Sequence, residues 1–243
     1  MIPGRTALRT IGLIPARGGS SRIPRKNLRP LGGRPLLQHT VEVARRARRL
    51  AGLVLSTDDE EIADLGRALG VAVPFVRPPE LAESDTPMLA TVQHAVRCLE
   101  AAGERIDAVC LLQPTAPFRT AEQIDGCIDL LERANHDAVV TIIPVPTEYH
   151  PDWAYRRRPD GTLRLWTGGR DPVGRRQDLE IAYCRSGDVY VTRRDAILVQ
   201  GSLYGTSVAG YPVDPAGTVN LNDLDDWERA ERMLAIRAAA ALR

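Results

Sequence analysis

The chain has 243 residues, 44% of them hydrophobic, and a formal net charge of +1. That is enough apolar residue for a sizeable core and too little net charge to steer the protein to nucleic acid or an anionic membrane. No apolar run approaches the roughly 20 residues that span a bilayer, and the start, MIPGRTALRT, lacks the apolar stretch of a secretory signal.

Short β-branched runs alternate with longer periodic ones. IGLIP (11–15) reads as a buried strand, followed by a glycine loop and a helix through PLLQHTVEVARRARRL (35–50). GLVLST (52–57) is a second strand and DDEEIADLGRALG (58–70) a helix ended by Gly70. VAVPFV (71–76) reads as a third strand, before a helix through TPMLATVQHAVRCLEAAG (86–103). DAVCLLQ (107–113) is a strand, TAEQIDGCIDLLERAN (120–135) a helix and DAVVTIIP (137–144) a strand. This rhythm predicts an α/β fold of three layers, a mostly parallel sheet with helices on both faces. From Pro144 to Gly187 the rhythm breaks into Pro-, Gly- and Arg-rich chain, too long for an ordinary connection. Trp153, Tyr155, Leu163, Leu165 and Trp166 surround a Pro-Asp-Gly turn there. The segment is read as an excursion that packs on a second subunit or closes over a ligand. GDVYVT (187–192), SVAGYPV (207–213) and a helix from Asp223 complete the chain, read as one domain over 1–243 with 144–187 as its excursion.

Several features have ordinary explanations. Asp58 to Glu61 are acidic residues where a helix begins, favoured by its dipole. The basic run ARRARR (44–49) falls in the last turns of the first helix as a solvated face. His39 and His94 are isolated on helices. Cys98, Cys110, Cys127 and Cys184 form no C-x-x-C pair and read as small buried residues of a reduced, cytoplasmic protein.

Open parallel sheets bind ligands beyond the carboxyl ends of their strands. The loops there are ARGGSSRIPRKN (16–27), STDD (56–59), RPPELAESDTP (77–87) and QPTAPFRT (113–120). The first is neither G-x-x-x-x-G-K-[ST] nor G-x-G-x-x-G. Its adjacent Gly18 and Gly19 can turn backbone N–H groups toward phosphates. Arg17, Arg22 and Lys26 beside them supply the charge a polyphosphate needs. Lys26 is the one lysine in a chain with 31 arginines. A lysine kept under such a bias suits a site for a compact point charge.

IPARGGSSRIPRKN resembles the opening motif of the cytidylyltransferases that make CMP-activated acidic sugars: the CMP-sialic acid synthetases and their relatives for other nonulosonic acids and KDO. STDDEEIADLGRALG, VRPPELAESDTPML, LLQPTAPFRTAEQI, the YHPDW and RRQ of the excursion, and YCRSGDVYVTRRDAIL resemble later family segments in order. The resemblance implies a nucleotide-diphospho-sugar-transferase-like fold, a homodimer built through the excursion, and transfer of CMP from CTP to an acidic sugar with release of pyrophosphate. It implies that Arg17 and Lys26 are catalytic. The nucleotide would be held by Ala16, Arg17, Gly18, Gly19, Arg22, Lys26, Asn27, Arg77 and Asp85. Gln113, Thr115, Arg119, Arg176 and Gln177 would take the sugar acid, and Mg2+ would assist.

Three departures are visible. Ser21 stands where the family often has lysine. The usual Asp-Ile-Asp that helps hold magnesium reads Asn220-Leu221-Asn222, which offers neutral oxygens and leaves the metal to the phosphates with Asp223 or Asp225. Arg185-Ser186-Gly187 replaces the family's Asn-Gly setting. Two alternatives follow: changed specificity, for GTP or for a sugar-phosphate or phosphonate acceptor, and a nucleotide-binding relative with weakened catalysis.

Overall fold

In the computed structural model, which describes residues 7–20 and 22–241, Thr10–Pro15 (β1) is buried along its whole length and lies inside a six-stranded sheet. Met1–Thr6, six of the ten residues of MIPGRTALRT, Ser21, and Leu242 and Arg243 at the end of the expected last helix lie outside the described residues. The other strands are Leu50–Ser56 (β2), Ala108–Leu111 (β3), Ala138–Pro144 (β4), Tyr183–Arg193 (β7) and Val208–Pro212 (β8), in the order β2-β1-β3-β7-β4-β8. Tyr155–Arg157 (β5) and Leu163–Leu165 (β6) form a separate antiparallel hairpin in the excursion. β1 runs parallel to β2 and β3, and β8 parallel to β4. β7 is antiparallel to both its neighbours.

Alternation along the strands sends side chains to two helix layers. Ile14 and Leu55 face a core shared with Leu36–Ala44 (α1), Glu60–Ala68 (α2) and Ala121–Arg133 (α4), through Leu37, Ile62 and Ile128. Ile11, Leu13 and Val109 face Met88–Ala101 (α3) and Arg194–Leu198 (α5), through Val92, Val96 and Ile197. Side-chain caps start α2 and α4. Asp59 accepts from the Ile62 N–H at the head of α2, and Thr120 and Gln123 form a reciprocal capping box on α4.

Three expectations need correction. Val71–Val76 is no strand: it touches β2 through a single bridge, Val54 with Ala72. Pro74 has no N–H to extend a ladder, so β2 is left as the sheet edge. The first helix ends at Ala44, and the basic run after it forms a turn. The Asp125 carboxylate of α4 captures the backbone N–H groups of Arg48 (2.9 Å) and Arg49 (2.9 Å), and Arg49 pairs with Asp129 and Glu132. Cys184 is exposed and Cys98 half-buried, unlike Cys110 and Cys127. Cys184 sits where β7, begun four residues earlier than expected, leaves the core toward the excursion. All four cysteines are free.

A third apolar cluster closes one end of the sheet. Ile23 of the first loop, Leu31, Leu36, Phe118, Val219, Leu221 and Trp227 pack together. Trp227 belongs to the last helix, Leu224–Ala241 (α6), and the Arg29 guanidinium lies 5.0 Å from its ring centroid. Burying each large apolar side chain contributes about 1.5–3 kcal/mol. The cluster therefore ties three distant chain segments to one another beneath the loops that follow β1 and β3.

Candidate active site

The glycine loop is organised by the segment after β2. The Ala16 N–H donates to the Ser56 carbonyl (3.0 Å) and the Gly18 N–H to Asp58 Oδ1 (3.1 Å). A Cβ on Gly18 would stand 2.5 Å from Asp59 Oδ2, so only glycine fits. Gly19 meets nothing within 4 Å and is open toward solvent. Arg25 adopts a left-handed φ of 53°, which costs a non-glycine residue about 1–2 kcal/mol. Its guanidinium contacts Asp59 (2.9 Å) and Glu61, and its carbonyl accepts from Leu28 and Arg29.

A cavity of about 370 Å³ lies against this loop, at the carboxyl ends of β1 and β3. Arg17, Arg22, Lys26, Asn27, Gln113, Thr115 and Asn222 line it, all of them sequence candidates, together with Ser84 and Met88. Among the described residues its only charged lining is the three cations. Burial, then the nearby charges of Arg17 and Arg22, hold the Lys26 amine below the ordinary lysine value, with Asp226 pulling the other way. Three cations crowded without a lining carboxylate are the electrostatic complement of a polyanion. A larger groove of about 860 Å³ between α1 and α4 is different in kind: Glu42, Glu122, Asp125 and Asp129 are interleaved with its arginines.

Lys26 Nζ donates to the Leu221 carbonyl at 3.1 Å. Asn27 Nδ2 donates to the Arg17 carbonyl (2.9 Å), which fixes the loop's curvature. Arg17 Nη1 donates to the carbonyls of Glu83 (2.6 Å) and Ala82 (3.3 Å), so it joins the glycine loop to the segment before α3. Ala16 is buried and reaches the cavity's surroundings only through its backbone.

Other candidates stand elsewhere. Arg77 is buried beside β2, where Nε donates to Ser56 Oγ (3.0 Å) and Nη2 to the Ser56 carbonyl. Burial pushes its pKa down to about 10. It braces the loop from below and is absent from the cavity lining. Arg119 is fully buried. It donates to the carbonyls of Asp188 (2.8 Å) and Gln113 and to Thr40 Oγ1 (3.1 Å). Its contact with the cavity runs through the Gln113 backbone. Asp85 is exposed beside the lining residue Ser84. Arg176 and Gln177 are exposed on a short 3-10 turn of the excursion and do not line the cavity. The sequence reading missed the part played by Asp58 and Asp59 in holding Gly18. The signal was there in STDD, which leaves β2 at the same end of the sheet as the glycine loop.

Asn220 and Asn222 offer a divalent cation little. The Asn222 amide donates to the Asn220 carbonyl (3.1 Å), and the Asn220 amide nitrogen packs on Gly187. Asp226 accepts from the Asn222 (2.8 Å) and Asp223 N–H groups, while Asp223 Oδ1 accepts from the Asp226 N–H (3.0 Å). Both carboxylates are thus engaged at the head of α6. Among the described residues no three acidic, histidine or cysteine side chains gather as a metal group. Magnesium is ordinarily held through one or two carboxylates with water and substrate phosphates, and the neutral Asn220 and Asn222 do not fit that role.

Comparison with known proteins agrees with this geometry. Residues 11–163, well over half of the chain, match the model of the family described as Cytidylyltransferase. The CMP-N,N'-diacetyllegionaminic acid synthase of Legionella pneumophila is 29% identical over 96% of this chain and 99% of its own length. The pseudaminic acid cytidylyltransferase of Campylobacter jejuni is 40% identical over 46% of this chain and 48% of its own. A solved CMP:2-keto-3-deoxy-manno-octonic acid synthetase complexed with CTP superposes with a TM-score of 0.73 at 17% identity, over 94% of this chain and 99% of that one, and confirms the α/β fold.

Proposed function

The chain belongs to the cytidylyltransferase family, and we propose that it transfers CMP from CTP to a nonulosonic acid of the sialic-acid type. The observation that carries this reading is the cavity whose charged lining, among the described residues, is Arg17, Arg22 and Lys26 alone. The legionaminic and pseudaminic relatives support the acceptor class. In the reaction the acceptor's anomeric hydroxyl oxygen bonds to the α-phosphorus. The bond from that phosphorus to the α–β bridging oxygen breaks, pyrophosphate departs with the electron pair, and the hydroxyl proton is released. No carboxylate or imidazole is among the described lining residues, so the rate comes from positioning and charge neutralisation, as is usual at phosphorus. Arg17 and Lys26 face the triphosphate with the Gly18–Gly19 backbone. Gln113 and Thr115 face the acceptor. No magnesium ligand is asked of the chain's own residues.

The whole chain acts as one nucleotidyltransferase domain and dimerises through its excursion. Leu163, Trp166 and Ile181 expose large apolar side chains there, which supports a subunit contact. Arg176 and Gln177 would reach an acid from that arm. The free thiols support work in a reducing cytoplasm.

The test is a pyrophosphate-release assay with CTP, UTP, ATP and GTP, crossed with nonulosonic acids, KDO and sugar phosphates. Turnover with CTP and a nonulosonic acid is expected. A preference for GTP or for a sugar phosphate would overturn the corresponding half. A second reading, a relative with weakened catalysis, is favoured by Asn220 and Asn222; CTP binding without turnover on any acceptor would select it.

A further inference from the structure

We propose that this cavity takes its nucleotide as the metal-free triphosphate, with Arg17, Arg22 and Lys26 supplying the positive charge and the chain building no divalent-cation site of its own. The inference rests on the CTP-donor reading above. Three observations carry it. The first is the lining itself, which among the described residues brings three cationic side chains and no carboxylate to one cavity. A free divalent ion entering there meets three like charges, relieved by Asp226 behind Lys26, whereas a triphosphate meets its counter-charges.

The second is the chemistry at 220–222. Asn220 and Asn222 are neutral; the Asn222 amide nitrogen donates to the Asn220 carbonyl, and the Asn220 amide nitrogen fills the space that a side chain on Gly187 would take. Of the acids that follow, Asp223 and Asp226 are occupied at the start of α6, and Asp225, exposed on its first turn, is not among the described lining residues of the cavity. The third is the position of the lysine. Lys26 Nζ touches the Leu221 carbonyl between the two asparagines. The ammonium thus occupies the segment where a carboxylate pair would hold a cation, and with carboxylates there it would compete with that cation for them. Metal-free CTP also carries more negative charge than its magnesium chelate, so this cluster favours the free form.

The test is calorimetric titration of the full-length chain with CTP in EDTA and in magnesium, together with Mn2+ alone titrated into the nucleotide-free protein and followed by electron paramagnetic resonance. CTP should bind in EDTA at least as tightly as in magnesium, and at about 1 mM Mn2+, the weak end of ordinary protein sites, no metal should be held. The double variant Asn220→Asp/Asn222→Asp should reverse the order, with EDTA weakening CTP binding by about tenfold or more from the added negative charge. Mn2+ uptake by the nucleotide-free wild-type chain, or CTP binding abolished by EDTA, overturns the inference and leaves the donor reading standing. An unchanged metal response in the double variant overturns it too. Failure of CTP to bind in either buffer overturns the donor reading, and this inference with it.

Discussion

Lys26 and Leu221 stand 195 positions apart in the chain, yet the lysine Nζ lies 3.1 Å from the leucine carbonyl oxygen. Packing makes that contact. Ile23, three residues before the lysine, shares one apolar cluster with Leu221, Phe118 and Trp227. The single lysine is thereby aimed along the cavity wall beside Arg17, Arg22 and Asn222.

Replacing Lys26 should therefore separate rate from folding. Lys26→Ala is expected to lose about 2–4 kcal/mol of transition-state stabilisation, the cost of removing one donor to developing charge. Its folding free energy should fall by about 1 kcal/mol, the worth of one hydrogen bond. Lys26→Arg should recover part of the rate, because the planar fork aims its donors differently. Pyrophosphate release and urea unfolding measure the two effects. Turnover within about twofold of wild type in both variants would remove the lysine from the phosphate site.

The same amine sets an alkaline limit on binding. Its pKa in the folded chain lies below 10.5, chiefly through burial and then through Arg17 and Arg22. As pH rises through that lowered value the ammonium is lost, so CTP affinity should fall earlier than an ordinary lysine would allow. The sign for stability is opposite. Between the folded and unfolded values the unfolded chain holds more protons, so this group's contribution to stability rises with pH across that window. Calorimetry from neutral to alkaline pH checks the binding limb. In Lys26→Arg that limb should disappear, since guanidinium does not titrate there.

Arg119 should prove a folding residue first. Its buried guanidinium satisfies the carbonyls of Gln113 and Asp188 and the hydroxyl of Thr40. Arg119→Met leaves these acceptors unpaired, and we expect a loss of about 3–5 kcal/mol, as when a buried charge network loses one member. Thr40→Val, which strips one partner only, should cost about 1–3 kcal/mol. Denaturant unfolding reports both. An Arg119→Met protein of near wild-type stability but raised KM for the acceptor would return Arg119 to direct acceptor contact.

The two loop glycines should behave differently. Gly18→Ala drives a methyl against Asp59, the cap of α2, and should cost about 1 kcal/mol or more as the cap gives way. Gly19→Ala has open space and should change stability by no more than about 0.5 kcal/mol. Thermal unfolding of the pair decides; equal losses would mean that Asp59 does not hold the loop.

Subunit association is tested on the excursion. Leu163 is 61% and Ile181 71% exposed in the single chain. If a second copy covers them, Leu163→Asp/Ile181→Asp should shift the dimer to monomer by light scattering at micromolar concentration. A wild-type monomer, or a dimer that the double variant leaves intact, would place the contact elsewhere or nowhere.

The alternation of β-branched runs with 3.6-residue periodicity was sufficient for the layered α/β fold, because burial on both faces of a sheet leaves that pattern in the chain itself. It was also sufficient for the glycine loop, since closely set glycines flanked by cations have a local reason to exist. Val71–Val76 shows the limit: its composition reads as strand, but Pro74 and the sheet edge leave it one bridge. Arg119, Arg77 and Arg17 show another. Their residue type allowed phosphate or carboxylate contact, and nothing local said that Arg119 would be buried against three protein acceptors, Arg77 against Ser56, or Arg17 against the carbonyls before α3. Which donors remain free for a ligand depends on acceptors far away in the chain, 21 positions on for Arg77, 66 for Arg17 and 69 for Arg119, and only the folded chain brings those into reach.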